Sequence, residues 1–375
     1  MSPAGSPRML AIALVVLGLG QSPQGPAPRA RTGDVRVMTY NIKHGQTNAA
    51  CTQPAALPGQ PPAPDCNLDL QAAIAVIREH DPDIVGLQEI DRFWARSAYQ
   101  DQPAVLSAAL GMEHRCYAAN LDHPADHHAD QPHQYGTLVL SRFPIRTCIN
   151  TLLLRTGENE QRGFALAVID VRGTSLHFYN THLHTTQADR LQQTASIAQA
   201  VDAAGPGARI VVGDFNARPT ATELEPLFAR FTDAWTKTGV AAADNANGLT
   251  SPAAPDGDPR NRIDYVLVSS PMEVRAATVP VDTKTRLAAD HYPVVVDLTL
   301  PKLRRHGVAR RIARQMSANR WSFTPDHSRS RVARVSASEW APGAVTANTR
   351  REGPSGLSGR VDATRPLASR RSSVA

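Results

Sequence analysis

The stretch Ile210 to Asn216, IVVGDFN, runs residues of buried-strand character straight into Asp214 and Asn216. Side chains alternate along an extended backbone, so the i, i+2 spacing puts the carboxylate and the amide on one face while Phe215 points the other way into a core. Asp and Asn also end strands for purely conformational reasons, so the pair gains chemical meaning only if similar strand ends exist elsewhere. They do: Asn41, Glu89, His182, Asp264 and the adjacent pair Asp290 and His291 come from five different strand ends or adjoining loops. Polar groups supplied in this way by separate elements are what a packed scaffold gathers into one site. Carboxylates and amides without thiolates suit a hard, oxygen-preferring divalent cation such as Mg2+, with Mn2+ or Ca2+ as substitutes. Two histidines add proton transfer or stabilisation of anionic oxygens near neutral pH. The combination suits phosphoester hydrolysis, in which metal and imidazoles offset charge on the phosphoryl oxygens while a carboxylate positions and deprotonates water.

The elements that must position these groups are legible in order. VRVMTYNI (Val35 to Ile42) alternates as a strand and ends at Asn41, followed by Lys43 and His44. Residues 46–67 are a Pro-, Ala- and Gln-rich insertion. Leu70, Ile74 and Ile77 give helical spacing from Leu68 to His80, and Asp81 and Pro82 stop that helix. DIVGLQEID then forms a short buried strand delivering Glu89, and the crossover puts Asn41 and Glu89 on one sheet edge if the two strands are parallel neighbours. A helix is expected over Pro103 to Leu110. The segment Asn120 to Gln134, with His123, His127, His128 and His133, reads as an exposed polar loop because its histidines lack periodicity. YGTLVLSRFPI is a strand ending at Ser141 and Arg142. GFALAVIDV and TSLHFYNTHLH pair about a turn at Arg172 and Gly173, the second reaching His182. A helix over Gln187 to Ala203 leads to the GDFN strand, and TELEPLF is a short helix. Asp233 to Pro259 is loop, and NRIDYVLVSS is a strand with Asp264 embedded in it. EVRAATVPV and YPVVVDLTL close the folded part, with Asp290 and His291 just before the latter. Lys43, His44, Arg92 and Arg142 are the candidate substrate contacts around this set.

Seven motifs in this order, TYNIKHG, DIVGLQEID, YGTLVLSRFPI, NTHLH, VVGDFNARP, RIDYVLVS and ADHYPVVV, resemble the endonuclease/exonuclease/phosphatase superfamily of deoxyribonucleases, abasic-site endonucleases, inositol polyphosphate 5-phosphatases and neutral sphingomyelinases. The resemblance spans about residues 34–300. It implies an α+β fold, a four-layer α/β/β/α sandwich of two mainly antiparallel sheets flanked by helices. It also implies a metal site of Asn41, Glu89 and Asp290. Asp214 with Asn216 would orient and activate water, His291 paired with Asp264 would polarise the phosphate, and His182 would stabilise the transition state or assist the leaving group.

Charge divides the 375 residues. Residues 301–375 hold 16 Lys and Arg against 4 Asp and Glu, a net of +12, which leaves residues 1–300 at net −6. An acidic body argues against efficient duplex cleavage by that part alone. The basic tail, expected to be largely disordered, would hold nucleic acid, an anionic membrane or a cell surface, with 302–316 able to form an amphipathic helix. Arg8 followed by the apolar run Met9 to Gly20 matches a secretory signal and is too short to span a bilayer comfortably. Export fits the even cysteine count. Three pairings of Cys51, Cys66, Cys116 and Cys148 exist, with Cys51–Cys66 and Cys116–Cys148 favoured, and their spacing is not that of a zinc site. The expected organisation is a leader and linker over 1–30, a catalytic domain over 31–300 and a tail over 301–375, acting as a monomer. A nuclease-like phosphodiester is the favoured substrate because PRNRIDYVL is nearer the nuclease pattern than that of inositol phosphatases. Sphingomyelin, an inositol phosphate, or a non-catalytic binding role for the tail are the alternatives.

Overall fold

The computed structural model describes residues 34–52, 63–125, 130–204, 207–238, 247–253 and 259–301. In chain order the first half contains β1 (Asp34–Asn41), α1 (Leu70–His80), β2 (Ile84–Arg92), α2 (Gln102–Leu110), β3 (His114–His123), β4 (His133–Ser141) and β5 (Ile145–Leu152). Then follow β6 (Gly163–Val171), β7 (Thr174–His182), α3 (Gln187–Ala203), β8 (Ala208–Asp214), α4 (Glu225–Phe228), β9 (Thr232–Asp233) and α5 (Ala234–Thr238). The chain closes with β10 (Asp264–Val268), β11 (Glu273–Thr278), α6 (Thr283–Ala288) and β12 (Val294–Thr299).

Two sheets result, ordered β11-β12-β1-β2-β4-β3 and β5-β6-β7-β8-β10-β9. Pairing is antiparallel except for β1 with β2 and β7 with β8, where α1 and α3 make the crossovers that parallel neighbours require. Strand alternation sets the layers. Val35, Val37, Ile84, Phe178, Ile210 and Val212 point into a core between the sheets. Met38, Tyr40 and Leu87 pack outward on α1 and α2, while Tyr179, Val211 and Phe215 pack with Ile197 and Val201 of α3. This is the expected four-layer sandwich. Caps fix the helix that sets the β1–β2 crossover: the Asp69 carboxylate accepts from the Gln71 N–H at 3.0 Å, and Asp81 ends α1 in the left-handed region.

Five elements escaped the sequence reading, the two-residue strand β9 among them. Edge strands β3 and β5 carry little apolar contrast; β5 is exposed along most of its length and β3 buries mainly small residues. Short helix α5 lies where loop was expected, and α6 lies in a stretch to which no element was assigned. The histidine-rich stretch is shorter as a loop than expected, because β3 and β4 extend through it and set His123 opposite His133; residues 126–129, with His127 and His128, lie outside the described residues. Asp264 begins β10 rather than lying within it. The disulfides are Cys51–Cys66 and Cys116–Cys148, the second joining the edge strands β3 and β5 of the two sheets. The leader and the basic tail also lie outside the described residues, and among the described residues no helix is long and apolar enough to cross a membrane.

Two glycines permit the close approaches this packing needs. A Cβ on Gly86 would meet Val212 Cγ2 of the facing sheet at 2.5 Å, and one on Gly213, at φ +149°, would meet the Thr181 carbonyl oxygen at 2.0 Å. Gly213→Ala therefore forces β7 and β8 apart beside Asp214. We expect a loss of at least about 2 kcal/mol in chemical unfolding; an unchanged denaturation midpoint would contradict the packing described.

Candidate active site

The inward stripe of four strands turns polar at one edge. Val35 and Val37 face the other sheet, so Asn41, at the same parity, does too. The same count carries Ile210 and Val212 on to Asp214, Leu176 and Phe178 on to His182, and Val268 and Val266 back to Asp264. Register completes the row, with His182 opposite Asp214 and Asp214 opposite Asp264. Thr39 pairs with Val294, so the loop before β12 brings Asp290 and His291 to the same edge. β2 breaks the count. Simple alternation would turn Glu89 outward with Val85 and Leu87, but a bulge between Leu87 and Ile90 resets the phase, and Ile90 joins the outer core instead.

Asn41 is fully buried and joins the two sheets. Its Nδ2 donates to Glu89 Oε1 at 3.0 Å and to Asp214 Oδ2 at 3.2 Å, while its Oδ1 accepts from the Lys43 N–H at 3.1 Å. Asp214 Oδ1 accepts from the Asn216 N–H at 2.8 Å. Asp214 Oδ2 is approached by His182 Nε2 at 3.4 Å and His291 Nε2 at 3.6 Å. The other ring nitrogens face opposite chemistry: His291 Nδ1 lies 2.9 Å from Asp264 Oδ2, and His182 Nδ1 lies 2.8 Å from Arg162 Nη1. Lys43 Nζ pairs with Asp290 Oδ2 at 3.1 Å. Non-glycine residues in the left-handed region gather here, with φ of +45° at Lys43 and His44, +60° at Glu89 and +49° at Asn216. Such conformations are held only where the surroundings over-determine them.

Electrostatics separates the groups. Burial, with Asp264 beside it, pushes the Asp214 carboxyl up to about 7 against the pull of His291. For His291 burial opposes the charge, but Asp264 and Asp214 outweigh it and raise the ring to about 10, so it is cationic at neutral pH. His182 moves the other way, well below the usual histidine range, because of burial and then the Arg162 charge. Its approach to Asp214 is therefore that of a neutral ring.

Asp214, Asp264 and His291 each offer a ligand atom, all within 4.8 Å of one another, a group that could hold a metal ion. Buried Asp264 Oδ1 and Asp290 Oδ1 have no hydrogen-bond partner, and oxygen donors of this kind fit a hard divalent cation. A cationic His291 already bonded to Asp264 offers no lone pair, a conflict that Asn41, Glu89 and Asp290 do not share.

The structure brings Asn41, Lys43, Glu89, His182, Asp214, Asn216, Asp264, Asp290 and His291 to one edge. It does not offer the other three candidate contacts to a substrate. Arg142 is at the far end: β4 runs antiparallel to β2, setting Ser141 opposite Ile84, and Arg142 pairs with Asp81 there. Arg92 is held by Gln134 and Asp101, at 2.8 and 3.0 Å, beside the Tyr117 ring. His44 is buried against Asp65 at 2.9 Å. Arg162, just before β6, was not anticipated. The register carried no direct signal for it: Phe164 falls opposite Thr181, which brings Gly163, not Arg162, across from His182.

A family model described as Endonuclease/Exonuclease/phosphatase family matches residues 38–291. Among solved structures, an endonuclease/exonuclease/phosphatase from Beutenbergia cavernae is 25% identical, with TM-score 0.54 and 72% of each chain covered. A mannosyl-6-phosphatase from Bacteroides thetaiotaomicron is 18% identical, with TM-score 0.52 over 71% of this chain and 100% of that one. The human Nocturnin catalytic domain with bound sulfate is 19% identical, with TM-score 0.51 over 72% of this chain and 94% of that one. No curated protein matches the sequence.

A raised Asp214 means that the fold favours the neutral carboxyl. That stabilisation is fully present below the ordinary carboxylate value of 3.8 and is lost as pH rises through about 7. Asp214→Asn imitates the neutral form at every pH. In chelator, thermal unfolding should show the variant near the wild type at about pH 4 and several degrees more stable above about pH 8; a difference that does not vary with pH would contradict the electrostatics.

Proposed function

The chain belongs to the endonuclease/exonuclease/phosphatase family, and from that premise we propose that it is a secreted, divalent-metal-dependent phosphoesterase in which Asp214 activates the attacking water. One observation carries the reading: Asp214 Oδ2, buried at the polar edge, is approached by the Asn41 amide and the Nε2 atoms of His182 and His291. Asn41, Glu89 and Asp290 would hold Mg2+, with Mn2+ or Ca2+ as substitutes, and the bound cation would supply Lewis-acid stabilisation of the phosphoryl charge. A carboxyl tuned close to neutral pH is matched to removing a proton from water. Asn216 fixes its orientation through the N–H bond to Oδ1. As the water oxygen bonds to phosphorus, Asp214 takes its proton. The bond from phosphorus to the leaving oxygen breaks, and that oxygen takes a proton from solvent while Asp214 returns one. The His291 charge, supported by Asp264, offsets the developing negative charge on the phosphoryl oxygens.

Secretion is supported by the two disulfides together with the apolar run Met9 to Gly20. For the substrate, a nuclease-like phosphodiester keeps the support of the basic segment 302–375 and loses that of Arg92 and Arg142. Plasmid DNA, RNA, sugar phosphates, inositol phosphates and sphingomyelin, each assayed with Mg2+ and with chelator, form the test. We expect metal-dependent turnover of at least one, lowered about 10²–10³-fold in kcat by Asp214→Ala and by His291→Ala. Deletion of 302–375 should spare turnover of a small soluble phosphoester. Full activity of the Asp214→Ala, His291→Ala double variant on every substrate would overturn the mechanism.

A further inference from the structure

The two histidines at Asp214 carry opposite partners on Nδ1, and the difference fixes what each can do. A carboxylate only accepts, so Asp264 at 2.9 Å requires a proton on His291 Nδ1. A guanidinium only donates, so Arg162 Nη1 at 2.8 Å requires a bare lone pair on His182 Nδ1. A ring accepting at Nδ1 keeps its one proton on Nε2. Asn216 Nδ2 also lies 3.1 Å from that Nε2, and a ring cannot accept at both nitrogens and remain an imidazole. The contact with Arg162 decides. It is the shorter, a guanidinium can only donate, and Asn216 Nδ2 has an acceptor of its own in the Leu183 carbonyl at 2.9 Å. Arg162 is itself held: it is only 7% exposed, and Glu160 Oε1 lies 2.8 Å from the same Nη1. Both side chains come from the β6–β7 hairpin and its entrance, Arg162 one residue before β6 and His182 at the end of β7.

We propose that Arg162 is a positioning residue that locks His182 into the tautomer with Nε2–H facing the site, so that His182 serves the reaction as a hydrogen-bond donor to a phosphoryl oxygen and not as the acid for the leaving group. This deepens the phosphoesterase reading and rests on it for the identity of the acceptor. The proton for the leaving oxygen then comes from solvent, and the paired ring His291 supplies the site's imidazolium charge.

The tautomer is read without turnover. Long-range 1H–15N spectra of histidine-labelled protein should show His182 with protonated Nε2 and unprotonated Nδ1. In Arg162→Met that signature should be lost while the His291 signals persist, and in Arg162→Lys, which keeps a donor, it should be partly restored. In kinetics, Arg162→Met should lower kcat about tenfold or more with KM nearly unchanged, and Arg162→Lys should recover part of it. His182→Gln, which still offers an N–H, should retain more activity than His182→Ala, expected to lose about 10²–10³-fold. A protonated Nδ1 in the wild type overturns the proposal, as does an Arg162→Met variant that raises KM with kcat and tautomer intact. Absence of turnover on every phosphoester would defeat the parent reading while the spectra still decide the tautomer.

Discussion

One buried amide holds the site together. Asn41 ends a strand of the first sheet, and its two N–H groups reach a carboxylate of that sheet, Glu89, and a carboxylate of the other, Asp214. Two acids this close resist sharing a dry space unless a donor or cation lies between them. Only an amide with both hydrogens directed this way can serve both from one position without adding charge. Beneath it, a second polar contact fixes the sheets against each other: Gln88 donates to Asn180 Oδ1 at 2.7 Å, and Asn180 donates to the Leu87 and Leu138 carbonyls at 3.0 and 3.1 Å. All are fully buried, so any shift of one sheet relative to the other leaves donors or acceptors unsatisfied. The apolar core brings the sheets together, and this polar layer selects their relative position.

On that frame the fold holds groups in states that water would not favour. Asp214 is forced towards neutrality, His291 is held charged and His182 is held neutral, within one cluster of contacts. Left-handed backbone at Glu89 and Asn216 and unpartnered oxygens on Asp264 and Asp290 belong to the same edge. Burial of the Asp214 carboxyl and the unpartnered oxygens of Asp264 and Asp290 lower the stability of the free protein. A site assembled for binding alone has no need of two imidazoles, one charged and one neutral, around one carboxylate.

Much of this was legible before any coordinates. The period of two that buries Val37, Val212 and Phe178 also fixes where Asn41, Asp214 and His182 point, because parity is a local property of the chain. What parity could not show was any departure from it. Glu89 reaches the site through a bulge, and Arg142 was misplaced because the end of a strand marks the site edge only when its direction is known. His44 and Arg92 carry suitable chemistry, but Asp65 holds the first, and Asp101 with Gln134 holds the second. Arg162 lies one residue before β6 and outside every motif, so nothing in the sequence pattern tied it to His182. Edge strands β3 and β5 have too little buried apolar surface to announce themselves.

The most direct test of the convergence is a crystal structure of the protein with Mn2+ and inorganic phosphate, read from the anomalous signal. The account predicts Mn2+ bound by Glu89 and Asp290, with phosphate oxygens within hydrogen-bonding distance of the Nε2 atoms of both His182 and His291. A metal peak remote from those carboxylates, with phosphate bound away from both imidazoles, would contradict it.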